Sequence, residues 1–326
     1  MPGITRGEDN DLISKTIRLD RVSVDFQSAG KTVRVVDDVR LTFKEKRITG
    51  IIGETGSGKS VLGLSLLQLL PGNARVTGHI HYRGDDVLSY GGSRLRRLRA
   101  KEIALVPQNP ATSLNPIMAV RRQIREAVAS RGKIEKPGIT QRINTLFNDL
   151  HLDGLASPGA FYPFELSGGM KQRVLTAMGI CRDPAWILAD EPTKGLDACL
   201  RSEVCALLER HYASSGPGMI IVTHDLSLAR RLCCNIVVMY CGQVIETAPA
   251  PTFFSGPAHP YSAAFLKSSP REGFVPIPGE VPSVLDPPGG CRFHPRCRRK
   301  LKICRDLPPS LLGIGPGQAV RCHRYA

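Results

Sequence analysis

One short segment restricts the possible folds of this 326-residue chain more than any other feature of its sequence. Residues 53–60 read GETGSGKS, which matches the pattern of a phosphate-binding loop. The continuous apolar run 48–52 before the loop is typical of a buried strand, and the stretch after it predicts a helix over residues 59–70. We therefore predict a strand, a phosphate-binding loop and a helix, in that order.

Each residue type in this loop has a chemical reason to be there. Glycines allow backbone N–H groups to surround phosphates at the positive end of a helix. A lysine neutralises β- and γ-phosphate oxygens, and the hydroxyl of a following serine can bind Mg²⁺. The predicted nucleotide and magnesium site consists of Gly53, Glu54, Thr55, Gly56, Ser57, Gly58, Lys59 and Ser60.

A second apolar strand, residues 186–189, ends in two adjacent carboxylates. We expect Asp190 to hold Mg²⁺, directly or through water, and Glu191 to polarise the water that attacks the γ-phosphate. Such a pair could also cap a loop, and the phosphate-binding loop upstream favours the catalytic interpretation.

The remaining pattern predicts an α/β protein with a parallel sheet core. Alternating apolar residues over 17–26 and 33–43 predict an N-terminal antiparallel β subdomain. Further strands are expected at residues 103–106, 186–189, 219–222 and 236–240, separated by helical stretches. Residues 119–182 have a helical, more polar pattern and are interpreted as an inserted helical subdomain.

Three divisions of the chain follow from these patterns. Residues 1–15 form an N-terminal extension, residues 16–268 the nucleotide-binding domain, and residues 269–326 a proline-rich linker with a small cysteine-rich extension. The linker is predicted because residues 270–288 include six prolines, which disfavour helix and sheet.

Composition narrows the class of protein further. No apolar run approaches the roughly 20 residues that span a bilayer, and the N-terminus lacks a signal pattern, so we expect a cytosolic chain. The formal charge of +15 is concentrated in arginine-rich stretches without interleaved aromatics. Solvated faces or an anionic membrane surface explain that excess, and a nucleic-acid partner is not expected.

Residues 166–172, LSGGMKQ, distinguish one class of nucleotide-binding protein from the others. They resemble the signature sequence of ATP-binding cassette (ABC) ATPases. The resemblance implies that two cassettes enclose two ATP molecules, each signature acting on ATP held by the partner. The residues concerned are Ser167, Gly168, Gly169 and Gln172, together with Asp197 at the dimer seam.

Other ABC elements follow in the expected order. Gln108 matches the Q-loop glutamine that senses Mg²⁺, and His224 matches the switch histidine that contacts the γ-phosphate. Phe26 is the best candidate to stack on adenine, although a core position is the alternative. The sequence departs from the family where Lys194 and Gly195 replace a small pair before Leu196, which leaves the catalytic groups unchanged.

Four of the ten cysteines lie near the C-terminus with the spacing C-x5-C-x6-C-x17-C. Cys291, Cys297, Cys304 and Cys322 could bind Zn²⁺ or an iron–sulfur cluster, since both accept four thiolates. His294 and His323 are alternative ligands. The other six cysteines are interpreted as small core residues.

The tail resembles that of ATP-binding subunits from the oligopeptide/dipeptide importer family. The matching strings are His259-Pro260-Tyr261, Ile277-Pro278-Gly279 and the cysteine pattern that begins at Gly290. The resemblance implies a [4Fe-4S] cluster on the four cysteines, with Zn²⁺ as the alternative.

The predicted function is ATP hydrolysis that drives an importer of di- and oligopeptides from the cytoplasmic face of the membrane. Implied partners are a second ABC ATPase subunit, expected to be a paralogue, two transmembrane permease subunits, and an extracytoplasmic substrate-binding protein. One alternative is the same role in a nickel or metal-chelate importer. Another class, a non-transport ABC ATPase, is opposed by the single cassette and the lack of a long coiled-coil insertion.

Overall fold

A computed structural model describes residues 16–28, 30–129, 136–149, 161–270 and 273–326. The predicted extension 1–15 lies outside the described residues. The chain divides into two compact units, a first unit of residues 1–90 and 222–326 and a second unit of residues 91–221.

An antiparallel sheet of four strands in the first unit confirms the predicted β subdomain. Its strands, in the spatial order β2-β1-β4-β5, are β1 (Thr16–Ser28), β2 (Lys31–Lys44), β4 (Ala74–Tyr82) and β5 (Asp85–Asp86). The register pairs Ile17 with Phe43 and Val24 with Val36. All four of these side chains are buried, as the apolar alternation requires of a sheet with one face covered.

A second sheet in the first unit carries the phosphate-binding loop. Strand β3 (Ile48–Ile52) is buried at every position and runs parallel to β9 (Asn235–Tyr240). The sheet continues through β10 (Gln243–Pro249) to the tail hairpin of β11 (Leu311–Gly315) and β12 (Gln318–Arg321). The cysteine-rich tail therefore extends the sheet that contains β3.

Among the described residues of the first unit, four α-helices accompany these strands. They are α1 (Lys59–Ser65), α8 (Leu226–Leu232), α9 (Ala250–Ser255) and α10 (Pro260–Lys267). Helix α1 ends five residues before the predicted boundary. The backbone leaves the helix at Leu66 and reaches a positive φ of 48° at Gln68, although Leu66 and Leu67 stay buried.

In the second unit, strands β6 (Ile103–Val106) and β7 (Trp186–Asp190) pair in parallel. Strand β8 (Gly218–Thr223) lies beside β7, and its last two residues belong to the first unit. Gly218 lies against the ring of the buried Trp186, which leaves no space for a Cβ atom. The helices are α2 (Gly92–Arg97), α3 (Pro110–Ser113), α4 (Val120–Ala129), α5 (Lys136–Asp149), α6 (Gly168–Ile180) and α7 (Ala198–Ser215).

Two of the six cysteines expected in the core lie elsewhere. Cys199 is exposed because it lies on the solvent face of the first turn of α7, and Cys234 is half-buried after α8. The other four are buried, as predicted. Among the residues that the structure describes, no helix has the length and hydrophobicity needed to span a membrane.

Candidate nucleotide-binding site

The loop at residues 53–60 is closed by Lys59. The Lys59 ammonium, on a buried side chain, donates to the carbonyl oxygens of Gly53 and Glu54 at 2.8 Å each and to Ser57 Oγ at 3.3 Å. The cation therefore lies inside the curve of the loop, where the sequence places the phosphates.

Two glycines at the ends of the loop are required by close backbone approaches. Gly53 has φ 149°, and a Cβ atom there would collide with the carbonyl oxygen of Met239 in β9. Gly58 has φ 94°, and its Cβ atom would lie 2.8 Å from the carbonyl oxygen of Val35. Gly56 also has a positive φ, of 80°, yet space around it is open. The loop is therefore tight at its ends and open at its middle.

Two hydrogen bonds of the loop backbone fix it from outside its own sequence. The backbone N–H of Gly242 donates to the carbonyl oxygen of Ser57 at 3.0 Å. The backbone N–H of Glu54 donates to the Tyr261 hydroxyl at 2.8 Å. Tyr261 is buried at the start of α10, and its ring packs 4.5 Å from that of Tyr240. These contacts hold the loop against β9, β10 and α10.

The Glu54 side chain faces the cysteine-rich tail. Its carboxylate forms a two-point ion pair with the guanidinium of Arg296, with N–O distances of 2.7 and 3.1 Å. Glu54 was assigned to the phosphate site from its position in the motif, and the structure gives its side chain this additional partner.

In the second unit, the predicted carboxylates follow directly from β7. Asp190 is the last residue of the strand and Glu191 is the next, and both are buried. Glu191 has a positive φ of 49°, and its carbonyl oxygen accepts from the backbone N–H of Lys194 at 3.1 Å. Left-handed backbone at a non-glycine residue is costly and occurs preferentially at functional sites.

The signature segment lies at the start of α6 in the second unit. Ser167 is the N-cap, with its Oγ accepting from the backbone N–H of Met170 at 3.2 Å, and Ser167 and Gly168 are both exposed. Gly169 is buried because its Cα packs against Leu200 of α7. Gln172 is 1% exposed, so its side chain lies inside the unit rather than beside Ser167 and Gly168.

The other predicted residues are distributed between the units. In the second unit, Gln108 is half-buried after β6, and Asp197 caps α7 by accepting from the backbone N–H of Leu200 at 2.9 Å. In the first unit, His224 is exposed after β8, and Phe26 is half-buried in β1. Phe26 is therefore not a fully buried core residue.

The four tail cysteines lie near one another in the first unit. The Cys291 thiol interacts electrostatically with those of Cys297, Cys304 and Cys322, and burial raises the pKa of Cys291 to about 11. Each sulfur accepts a backbone N–H bond, from Phe293, Arg299, Leu301 and Arg324 respectively.

This gathering is not a formed metal site. Within the described ranges, no group of three or more histidine, cysteine, aspartate or glutamate side chains is placed so that it could hold a metal ion. The donor chemistry suits a metal, whereas the arrangement of the side chains does not support the predicted cluster. His294 and His323 have other partners, the carbonyl oxygens of Cys291 and Leu307.

Sequence reasoning missed Tyr261, Gly242 and Arg296 as partners of the loop. Tyr261 and Arg296 lie in segments whose sequence resembles the importer tail, and that resemblance does not predict a contact with the loop. The contacts join residues 207 and 242 positions apart, and no local pattern encodes them.

Comparison with known protein families gives two matches along the chain. A family described as "ABC transporter" matches residues 36–194, and one described as "Oligopeptide/dipeptide transporter, C-terminal region" matches residues 245–304. The second match includes Cys291, Cys297 and Cys304 and ends before Cys322.

Curated relatives match over nearly the whole chain. The dipeptide transport ATP-binding protein DppD of Escherichia coli (strain K12) is 36% identical over 313 residues, which are 94% of this chain and 96% of that protein. The putative peptide import ATP-binding protein BAB2_1052 of Brucella abortus (strain 2308) is 35% identical over 312 residues, 94% of each chain.

Solved structures confirm the predicted α/β cassette fold. The ATP-binding cassette MJ0796, solved as a dimer bound to ADP and Pi, matches with a TM-score of 0.64 and 24% identity, covering 72% of this chain and 98% of that one. CbiO1 from Clostridium perfringens, part of the ABC transporter complex cbiONQ, matches with a TM-score of 0.61 and 25% identity, covering 74% and 91%.

Proposed function

This chain belongs to the ATP-binding subunits of ABC transporters and is an ATPase, and we propose that it powers the import of di- and oligopeptides. The observation that carries the proposal is the 36% identity to a dipeptide transport ATP-binding protein across 94% of the chain. The match of residues 245–304 to the oligopeptide/dipeptide transporter C-terminal region supports the same cargo.

The phosphate-binding loop binds the nucleotide in this proposal. Backbone N–H groups of residues 53–60 surround the phosphates, and the Lys59 ammonium transfers part of its hydrogen bonding from the carbonyl oxygens of Gly53 and Glu54 to phosphate oxygens. The Ser60 hydroxyl is a ligand for Mg²⁺, Phe26 stacks on adenine, and His224 contacts the γ-phosphate.

The carboxylates that follow β7 are assigned to hydrolysis in this proposal. Glu191 accepts a proton from the attacking water, while Asp190 and Gln108 bind the Mg²⁺ that offsets charge on the phosphates. Burial of both carboxylates strengthens their electrostatic action, because the surroundings screen charge less than water does.

A second cassette completes the site. The exposed N-terminus of α6 at Ser167 and Gly168 offers backbone N–H groups to ATP held by the partner, and exposed Asp197 lies at the seam. Buried Gln172 supports α6 from within. We propose that the partner is a paralogue, that two permease subunits anchor the pair peripherally at the inner face of the membrane, and that an extracytoplasmic binding protein delivers the cargo.

Domain roles follow the predicted division: an extension over residues 1–15, the cassette over 16–268 and the tail over 269–326. For the tail we propose that Cys291, Cys297, Cys304 and Cys322 bind a [4Fe-4S] cluster, with Zn²⁺ as the alternative. The supporting features are the gathering of four thiols and their backbone N–H donors. Because the described side chains do not form an ion site, binding requires them to rearrange.

Uptake of a labelled dipeptide tests the function. In a strain that lacks the gene, the wild-type chain restores uptake and Lys59→Ala does not, because the buried cation of the loop is lost. Restored uptake of Ni²⁺ with no change in peptide uptake would replace the peptide assignment with the metal-importer alternative. Restoration of neither, with ATPase activity intact, would favour a non-transport ATPase.

Iron, sulfide and zinc analysis of anaerobically purified protein tests the tail. The wild type contains about four irons per chain, and Cys297→Ser loses them while ATP binding remains. About one zinc would replace the cluster with a structural zinc site, and equal metal content in both proteins would contradict the four-cysteine proposal.

A further inference from the structure

An arginine of the tail, Arg296, contacts the phosphate-binding loop. Arg296 Nη1 lies 2.7 Å from Glu54 Oε2, and Arg296 Nη2 lies 3.1 Å from Glu54 Oε1. The Arg296 side chain is only 4% exposed and that of Glu54 is 21% exposed. A two-point, charge-assisted pair shielded from water fixes both the position and the orientation of the carboxylate.

Other contacts hold the guanidinium in place. Arg296 Nε donates to the carbonyl oxygen of Pro278 at 3.0 Å, and Arg296 Nη1 also donates to the Tyr240 hydroxyl at 3.3 Å. The guanidinium carbon lies 5.9 Å from the centroid of the Tyr240 ring. Contacts with the linker and with β9 therefore orient the Arg296 guanidinium that binds Glu54.

The root of the tail is anchored at the same place. Phe293 is 3% exposed, and its ring packs 5.3 Å from Tyr240 and 5.4 Å from Tyr261. The Tyr261 hydroxyl accepts the backbone N–H of Glu54. One aromatic cluster thus supports both the Glu54 backbone and the arginine that holds the Glu54 side chain.

A second arginine of the tail contacts the loop indirectly, through a neighbouring turn. Arg292 bonds the carboxylate of Asp37 and the carbonyl oxygen of Cys241, each at 2.5 Å. Gly242, the next residue, donates its N–H to the carbonyl oxygen of Ser57 in the loop. Arg292 therefore supports the turn that holds the loop, whereas Arg296 holds a loop residue directly.

The charge of Glu54 explains why such a partner matters. A carboxylate in the second position of the loop repels phosphate oxygens unless a cation compensates it. The Lys59 ammonium bonds the backbone carbonyl of Glu54, and Arg296 bonds its side chain. The carboxylate of Glu54 is therefore compensated by the guanidinium of Arg296.

We propose that Arg296 is a positioning residue for nucleotide binding, through which the cysteine-rich tail sets the affinity of the loop for ATP. Arg296 does not touch the nucleotide in this proposal. It neutralises Glu54 and holds it, so that the loop is already in its binding conformation. The inference rests on the proposed binding of ATP by residues 53–60.

Calorimetric titration of the full-length chain with ATP and Mg²⁺ tests the proposal. We expect Arg296→Ala to raise the Kd for ATP about tenfold, because an uncompensated carboxylate then remains in the phosphate-binding loop. In ATPase assays the KM rises in parallel and kcat stays unchanged, since Glu191 and Asp190 are untouched.

Four further variants separate this role from a loss of folding. Arg298→Ala removes the same charge from an exposed position of the same tail and leaves Kd unchanged. Arg296→Lys, which keeps the charge without the two-point geometry, gives an intermediate Kd. Glu54→Gln combined with Arg296→Ala restores Kd to within about twofold of Glu54→Gln alone, because the repelling charge is gone.

The outcomes are distinguishable. If the wild type binds ATP and Arg296→Ala binds it equally well, the positioning role is wrong while the ATPase assignment stands. A weakened Arg296→Ala that Glu54→Gln fails to rescue also overturns it, because the loss then comes from the tail fold. No binding by the wild type would overturn both proposals.

Discussion

The phosphate-binding loop and the cysteine-rich tail use different means to build a site. In the loop, one lysine, three glycines and their own backbone carbonyls arrange the chemistry within eight consecutive residues. In the tail, Arg292 and Arg296 bind carboxylates that are distant in sequence, those of Asp37 and Glu54, and Phe293 packs against Tyr240 of β9. Local sequence specifies the first site, whereas tertiary contacts specify the second.

This difference predicts where each region is sensitive. The loop depends on backbone geometry, so one Cβ atom added at a closely packed glycine disrupts it. The tail depends on buried side chains, so truncation of an anchor releases it. Three predictions test this contrast, from the largest expected effect to the smallest.

Phe293→Ala should lower the free energy of unfolding by about 3–5 kcal/mol, because it removes a ring packed against Tyr240 and Tyr261. Chemical denaturation measures the change. Phe274→Ala is the matched control: its ring is 72% exposed, and we expect less than about 0.5 kcal/mol. Equal effects of the two substitutions would contradict an anchored tail.

Gly53→Ala should destabilise the protein by about 2–3 kcal/mol, combining left-handed strain with a collision against the carbonyl oxygen of Met239. Gly56→Ala has the same type of strain but open space, and about 1 kcal/mol is expected. The difference is measured by thermal and chemical unfolding. If Gly56→Ala costs as much as Gly53→Ala, close packing at the end of the loop is not what requires glycine.

Acidification should destabilise the folded protein through His259. This residue caps α10 by accepting the backbone N–H of Tyr261 at 3.0 Å, and the centroid of its ring lies 5.9 Å from that of Phe293. Burial lowers the pKa of His259 to about 3. Between pH 6.5 and 3 the unfolded chain binds a proton that the folded chain excludes, so stability falls as the pH falls, by about 1.4 kcal/mol per unit.

His259→Asn keeps a capping acceptor and lacks this slope, so unfolding curves at pH 7.0 and 5.5 should separate the two proteins by about 1.4 kcal/mol. Burial raises the pKa of the neighbouring Glu246, which has the opposite effect on stability and is present in both proteins. Parallel pH profiles would show that His259 is protonated in the folded chain.

Much of the fold was predictable because strong apolar patterns marked it. Strand β3 matches its predicted range because five consecutive residues are buried. Strand β4, ARVTGHIHY, was missed because it is polar and only Ile80 and Tyr82 are fully buried. The tail hairpin was missed for the same reason, since Val320 is its one buried position among the described residues.

The candidate site divides in the same way. Residues 53–60 could be assigned from order and residue type, because the chemistry is carried by neighbours in sequence. The contact of Glu54 with Arg296 could not be predicted in this way, because it joins positions 242 residues apart and depends on the packing of Phe293 against Tyr240. The same holds for the burial of Gln172, which follows from the packing of α6 rather than from the signature letters.

Simultaneous measurement of ATP hydrolysis and dipeptide uptake in proteoliposomes tests the proposed function most directly. The chain is purified together with the proposed permease subunits and partner cassette. With the wild type we expect uptake that requires internal ATP and Mg²⁺; with Glu191→Gln we expect ATP to bind while hydrolysis and uptake both fall at least about a hundredfold. Normal ATP turnover by Glu191→Gln, or peptide uptake that continues without hydrolysis, would contradict ATP-driven import by this chain.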